Sequence, residues 1–475
     1  MTRRAPGPSM SLASRDSPAD AAPAPRCFPP ALRADPDPGL LRSVLHALYD
    51  LAWIAFAVFG APWLAWKSLR QRGFARMVVE RLGRGLASVP RATRPRILVH
   101  GVSVGEVKAA RSLVTLFAER HPECEVVLSS TTNTGLEMAH KLYPGLLAVR
   151  YPADLSWVAR RFLGVLDPAL VILVELEVWP NFLRECNREG RAVAVVNGRI
   201  TRDSHGRYLA FKRWLPEFNR ISLFCVQSAE YARRFGVLGI DGERVCVTGN
   251  LKFDGMRVGP VDTGGELARF VAGTSGRQVL VAGSTHQPEE LLVARAARRA
   301  APDARLVLVP RHPDRVEELG VELREAGIGS QRLTELRKGT RVDEGLPLLV
   351  DTIGELERVY ALAHLVFVGG SLVAHGGQNM LEPAAQGKAV LFGPHTDNFD
   401  QEAALLLAAG ACLEVADAAE LERELARLLA DPAERERMGR AGMAAVAAQR
   451  GATQLTLAAL EALDLPALAA RAGAG

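Results

Sequence analysis

Cysteine is scarce and never clustered. The 475 residues hold six, Cys27, Cys124, Cys186, Cys225, Cys246 and Cys412, no two closer than 21 positions. That spacing excludes CxxC zinc or redox sites and a disulfide-dense scaffold. No GxxxxGK[ST] is present, and Gly387-Lys388 lacks the earlier glycine, so a P-loop is excluded. No GxGxxG follows an apolar run, which argues against a dinucleotide site. HExxH and Cys/His metal spacings are missing, and the acidic DxD pair occurs only in the N-terminal tail. The reading is therefore one without metal or cofactor. Charge of one sign is not in large excess either: 58 Lys+Arg against 53 Asp+Glu gives +5, too mild for a dedicated nucleic-acid binder. What is plentiful is apolar residue, 48%, enough for a packed core over two large domains or three smaller ones.

The chain changes character along its length. Nine of its 28 prolines fall in the first 40 residues, a stretch too polar to offset its ordering entropy, so 1–40 reads as a disordered tail. From Leu51 to Trp66 (LAWIAFAVFGAPWLAW) no charge interrupts an apolar run. As a helix these residues cover roughly 24 Å, short of a ~30 Å hydrocarbon core unless extended back to Val44. Residues 41–69 read as a membrane anchor helix, spanning or lying in one leaflet, with Trp53, Trp63 and Trp66 as interfacial residues and a kink at Pro62. A helix buried in a soluble core is the bland alternative. Lys67, Arg70, Arg72, Arg76, Arg81 and Arg84 follow, so 70–95 reads as a basic linker. Those charges place the body on the cytoplasmic face and favour anionic lipid as a partner.

From Arg96, near-continuous apolar runs alternate with helical stretches, the pattern of parallel strands covered on both faces. Seven are expected in residues 96–255: 96–100, 125–130, 146–152, 169–177, 192–198, 223–228 and 245–250. A Gly/Pro-containing stretch to Gly265 separates them from six more, 278–285, 304–312, 347–351, 365–370, 389–394 and 411–415, in residues 256–440. A helical segment, 441–475, ends the chain. The expectation is an α/β fold of two doubly wound halves with a cleft between them. Ligands should then sit in the loops beyond the strand ends.

Those loops carry the chemistry. After the first strand, His100-Gly-Val-Ser-Val-Gly-Glu106 turns into a helix; Glu106 reads as a cleft-facing general base or as a first-turn acid complementing the helix dipole. Glu175 and Glu177 end the fourth strand and, with period 2, are expected on one face. Lys252 lies in Thr248-Gly-Asn-Leu-Lys-Phe-Asp254, beside the stretch joining the halves. In the second half Gly283-Ser-Thr-His286 and Pro310-Arg-His-Pro313 end strands and each presents donors suited to a phosphate or carboxylate, with Arg311 suited to bidentate contact with such oxygens. A Gly-rich turn, Gly369-Gly-Ser-Leu followed by His375-Gly-Gly-Gln-Asn-Met-Leu-Glu-Pro383, runs into a helix whose free N–H groups would hold a phosphate, with Glu382 reaching ribose hydroxyls.

Together with Val309-Pro-Arg-His-Pro313, Gly354-Glu-Leu356 and Phe392-Gly-Pro-His-Thr-Asp-Asn-Phe399, these motifs occur in an order that resembles the 3-deoxy-D-manno-octulosonic acid (Kdo) transferases of lipopolysaccharide assembly, from the apolar segment to about residue 440. The resemblance implies a GT-B fold, two Rossmann-like domains facing across a cleft behind an N-terminal membrane helix. It implies an inverting, metal-independent transfer of Kdo from CMP-Kdo to a phosphorylated lipid A precursor at the inner membrane. It carries the base onto Glu106 and the CMP contacts onto Pro310, Arg311, Gly354, Glu355, Leu356, Asn379, Met380, Leu381 and Glu382. Two departures from the pattern are visible: Met380 stands where many members have Pro, and the Pro-rich tail is long. On this reading Lys252 balances the donor carboxylate and Glu175 or Glu177 orients the acceptor. A UDP-sugar 2-epimerase of similar architecture, and a membrane-tethered binding module without catalysis, are the competing expectations.

Overall fold

The computed structural model describes residues 40–464 except 72, 201–205, 207 and 210–216. The expected tail, residue 40 apart, lies outside the described residues, as do 465–475. The first half forms a seven-stranded parallel sheet in the order β3-β2-β1-β4-β5-β6-β7. Its strands are β1 (Arg96–His100), β2 (Glu125–Ser130), β3 (Leu147–Arg150), β4 (Pro168–Val174), β5 (Ala192–Gly198), β6 (Leu223–Val226) and β7 (Val245–Val247). The second half repeats the design as β10-β11-β9-β8-β12-β13-β14. Here the strands are β8 (Val279–Thr285), β9 (Arg305–Pro310), β10 (Gln331–Arg332), β11 (Leu348–Leu349), β12 (Leu365–Val368), β13 (Ala389–Phe392) and β14 (Cys412–Glu414).

The apolar runs are buried on both faces, as parallel sheets require. In β1, Ile97 and Val99 face one core while Leu98 faces the other; Val281 and Leu280 of β8 divide the same way. Each sheet reverses its winding beside its first strand, between β1 and β4 and again between β8 and β12. Crevices open beyond the strand ends at such switch points. The loops after β1, β4, β8 and β12 are the ones that carry Glu106, Glu175 with Glu177, His286, and the Gly-rich turn.

Three expectations change. Among the described residues no single helix is long and apolar enough to cross a membrane; helices Leu40–Phe59 and Ala61–Arg70 pass that test only as a pair bent by 60°. The bend sits at Gly60, where a Cβ would come within 2.5 Å of the Phe56 carbonyl oxygen, and Pro62 opens the second helix. Residues 70–95 are no linker. Helix Phe74–Arg81 and a turn around Leu86 pack on the first lobe, Ala153 N–H donating to Arg81 O at 2.7 Å and Leu86 entering the core. Last, helix Pro432–Ala448 runs through position 440, and helix Ala452–Glu461 returns to the first lobe, where Leu457 and Leu460 join its core. Asp254 fixes that return by accepting from Gly451 N–H at 2.6 Å and from Thr453 N–H.

A polar seam joins the bent helices to the body. Asn181, fully buried, donates to Asp50 at 2.8 Å and bonds His46 at 2.9 Å; Asp50 accepts from Ser156 N–H and Oγ. Trp53 packs on Ala153, Leu155 and Val158.

Candidate active site

On the first lobe Ser103 caps helix Val104–Ala109, and Glu106 is its third residue. The two cap the helix start together: Glu106 N–H donates to Ser103 Oγ at 3.3 Å, Ser103 Oγ–H donates to Oε1 at 2.9 Å, and Val102 N–H donates to Oε2 at 2.7 Å. The first-turn role is therefore real. It does not exhaust the group, because each carboxylate oxygen keeps a lone pair. Burial and the Glu175 charge raise the Glu106 pKa despite those bonds.

The acids after β4 depart from the period-2 expectation. Glu175 has φ +64°, so the strand ends at Val174 and the two side chains do not share an extended face. They still gather at Glu106. Glu175 accepts from Arg199 Nε at 3.1 Å and pairs with Lys252 Nζ at 3.5 Å. Burial first, then the Glu106 charge, pushes Glu177 up to about 7; Arg81 partly offsets this. Carboxylates from two loops thus crowd one wall, and Glu177 is the one whose protonation falls near neutral pH. Lys252 belongs to this cluster through Glu175 rather than standing free.

On the second lobe the Gly-rich turn is closed by a buried acid. Its amides at Gly370, Ser371 and Leu372 donate to the buried carboxylate of Glu289 at 2.6–2.9 Å, as does His286 N–H at 2.9 Å. Those amides are consumed internally; the helix start expected to hold a phosphate lies further along, before helix Leu381–Ala385. A Cβ on Gly369 would meet Glu289 Oε2 at 2.8 Å, so the turn closes on the acid only with glycine there. Further along, Asn379 Nδ2 donates to Glu382 Oε1 at 3.0 Å and its Oδ1 accepts from Leu381 N–H at 3.1 Å. Burial raises the Glu382 pKa, favouring a form able to donate as well as accept. Met380 and Leu381 point into the core, so a ligand meets only their backbone. Pro310 is buried at the end of β9, and Arg311 is exposed. Gly354, at φ +92°, is exposed; Leu356 packs on the core, and Glu355 is tied to Arg337 at 2.8 Å.

Lys108, two residues after Glu106, lies close enough to lower the Glu382 pKa electrostatically, as Arg311 does from its own lobe. Below them, Glu402 of helix Asp400–Ala408 is buried beside Lys252 and Arg199 and accepts from Asn250 Nδ2 at 3.5 Å. Sequence reasoning missed Glu289, Glu402, Arg81, Arg199 and Lys108. Glu289 left a trace, an acid three positions after a strand-end His at a helix start; the others look like ordinary surface charges in the sequence.

The profile of 3-deoxy-D-manno-octulosonic-acid transferases (kdotransferases) matches residues 76–255. A 3-deoxy-D-manno-octulosonic acid transferase of Bordetella pertussis is 34% identical over 447 residues, covering 89% of this chain and 98% of that protein. One from Haemophilus influenzae is 32% identical, covering 82% and 92%. A UDP-GlcNAc 2-epimerase from Neisseria meningitidis bound to UDP-GlcNAc shares the fold at a TM-score of 0.52, with 13% identity over 77% of this chain and 99% of that one. The two-lobed architecture is thus common ground with the epimerases, while the sequence is not: this chain belongs to the 3-deoxy-D-manno-octulosonic acid (Kdo) transferase family, whose members are glycosyltransferases.

Proposed function

We propose that the protein transfers Kdo from CMP-Kdo to a hydroxyl of a phosphorylated lipid A precursor, with inversion and without a metal, at the cytoplasmic face of the inner membrane. The supporting observation is the meeting of the walls: Lys108 puts the Glu106 helix within the electrostatic reach of Glu382, the acid of the rear loop. The barrier is charge separation at a ketosidic carbon that becomes cation-like as CMP leaves. Arg311, exposed at the strand end, suits the departing phosphate. Glu106 accepts the acceptor hydroxyl proton while the new C–O bond forms and the bond to the CMP phosphate oxygen breaks. A base on one lobe and a leaving-group site on the other suit attack from the face opposite CMP, hence inversion. Catalysis then requires the cleft to be closed around both substrates.

The bent helices supply the membrane contact. Leu51, Phe56, Val58, Phe59, Trp63, Trp66 and Leu69 are exposed, while the face bearing His46, Asp50 and Trp53 is held by the body. Lys67 lies over the Trp63 ring at 4.7 Å and Arg70 over Trp66 at 4.9 Å, an arrangement that suits a headgroup layer. A helix bound along one side to a water-soluble lobe is poorly placed to span, so we assign it an in-plane position. Phe59→Asp with Trp63→Ala is expected to release the protein from anionic vesicles in a flotation assay; unchanged flotation contradicts this.

Mass spectrometry tests the activity. Purified protein, CMP-Kdo and vesicles holding the phosphorylated acceptor should yield lipid heavier by whole Kdo units, undiminished by EDTA. Turnover of a UDP-sugar alone would reject the reading in favour of an epimerase-like enzyme.

The pH behaviour of Glu177 follows from its burial. Its folded pKa is raised, so the folded state holds a proton that the unfolded chain has released; stability from this source is full below the unfolded value of about 4.5 and lost as pH rises through about 7. Glu177→Gln should therefore raise the thermal midpoint at pH 8 by several degrees and change it little at pH 4. An equal shift at both would contradict it.

A further inference from the structure

Three imidazoles stand together at the strand ends of the second lobe. His286, after β8, stacks on His375 with ring centroids 4.4 Å apart and 21° between planes; His312, after β9, meets it edge-on at 5.8 Å. Gln378 Nε2 lies 3.3 Å from His286 Nε2. His286 is half-buried, and His312 and His375 are exposed, so the group is open to a ligand. The groups acting on the His286 ring are His375, His312, Arg311 and Arg315, all cations or cations in waiting. The nearest acid, Glu289, spends its oxygens on backbone N–H groups, and Glu290 is turned to Arg315 at 3.6 Å. Stacked rings do not converge on a point as metal ligands do, and among the described residues no set of three or more His, Cys, Asp or Glu is placed to hold an ion.

We propose that His286, His312 and His375, with Arg311, form an oxyanion subsite that takes a phosphate or carboxylate group of the donor. The inference rests on the donor reading above and deepens it: two strand-end motifs are expected to present oxyanion donors, and the stacking of His375 on His286 gathers three imidazoles into one subsite. Nitrogen donors from His286, His312, His375 and Arg311 crowd the place, and the Glu289 carboxylate beside them is spent on backbone N–H groups, which is the arrangement an anion completes. Burial and the surrounding positive groups push the His286 pKa down to about 4, so the ring is neutral in the free protein at neutral pH. An oxyanion beside it favours the charged ring and raises that value. Binding is then linked to proton uptake.

Calorimetric titration in buffers of different ionisation enthalpy reads that uptake directly. The probes are CMP, inorganic phosphate and free Kdo, between pH 6 and 8. CMP carries its own titrating phosphate, so His286→Phe, which keeps a stackable ring, serves as the reference, and the difference between the two proteins isolates the imidazole. The expected result is greater proton uptake by the wild type, with affinity lower by about tenfold in His286→Phe, the loss of one charge-assisted hydrogen bond. His312→Gln, at an exposed position, should weaken binding in the same direction. Excess uptake with CMP and phosphate assigns the subsite to the phosphate group; excess uptake with Kdo assigns it to the carboxylate. Equal uptake and equal affinity in wild type and both variants overturn the subsite while leaving the donor reading intact. Failure of the wild type to bind either CMP or Kdo overturns both.

Discussion

Glu106→Gln is expected to lower the transfer rate by about 10²–10⁴-fold, the usual contribution of a general base. The substitution is informative because of where Glu106 sits. Gln keeps an acceptor oxygen at this position, so the amide can still take one of the two donated hydrogen bonds, and with Ser103 still capping, helix Val104–Ala109 keeps its start. Folding should survive, with a thermal midpoint close to the wild type, while the proton acceptor is gone. Glu106→Ala would confound the two effects by removing the cap. A Gln variant that retains full activity would return Glu106 to a purely structural role, and Glu177, already pushed up to about 7, would become the stronger base candidate.

The second large effect belongs to Glu289. Its buried carboxylate receives four backbone N–H groups, from His286, Gly370, Ser371 and Leu372. Glu289→Gln turns one acceptor oxygen into an NH2 donor, and either orientation of the amide sets donors against donors. A loss of about 3 kcal/mol of stability is expected, in line with leaving two buried amides unsatisfied. Because the same amides shape the turn leading to Asn379 and Glu382, CMP affinity should fall at temperatures well below unfolding, by about tenfold or more. Thermal melts and CMP titration at 10 °C separate the effects. A stable variant with unaltered CMP affinity would show that the turn holds its shape without the acid.

The framework was legible in the sequence because parallel strands buried on both faces write themselves as uninterrupted apolar runs. Of the fourteen strands, only the two-residue edge strand Gln331–Arg332 left no such mark, being polar and half-exposed. The loops were harder. Glu175 and Glu177 were read as an extended pair, and only the left-handed backbone at Glu175, which ends the strand early, corrects that geometry. The Gly-rich turn pointed to an anion at the helix start; that a buried acid, Glu289, takes the amides of Gly370, Ser371 and Leu372 ahead of it is a tertiary fact that local spacing does not encode. Likewise, Lys252 looked available until its partner Glu175 was placed beside it. The apolar stretch reads as a membrane helix by composition; the bend at Gly60 and the polar seam through Asn181, which break it and hold it to the first lobe, both depend on packing. The Asn181 seam also ties the bent helices to the start of the helix that follows the Glu177 loop.

The division of labour between the lobes is tested most directly by CMP titration of two variants side by side, Glu106→Gln and Arg311→Ala. The account predicts a CMP dissociation constant unchanged in the first, whose transfer is slowed by about 10²–10⁴-fold, and raised in the second. Weakened CMP binding by Glu106→Gln to the same degree as Arg311→Ala, or undiminished binding by Arg311→Ala, would contradict it.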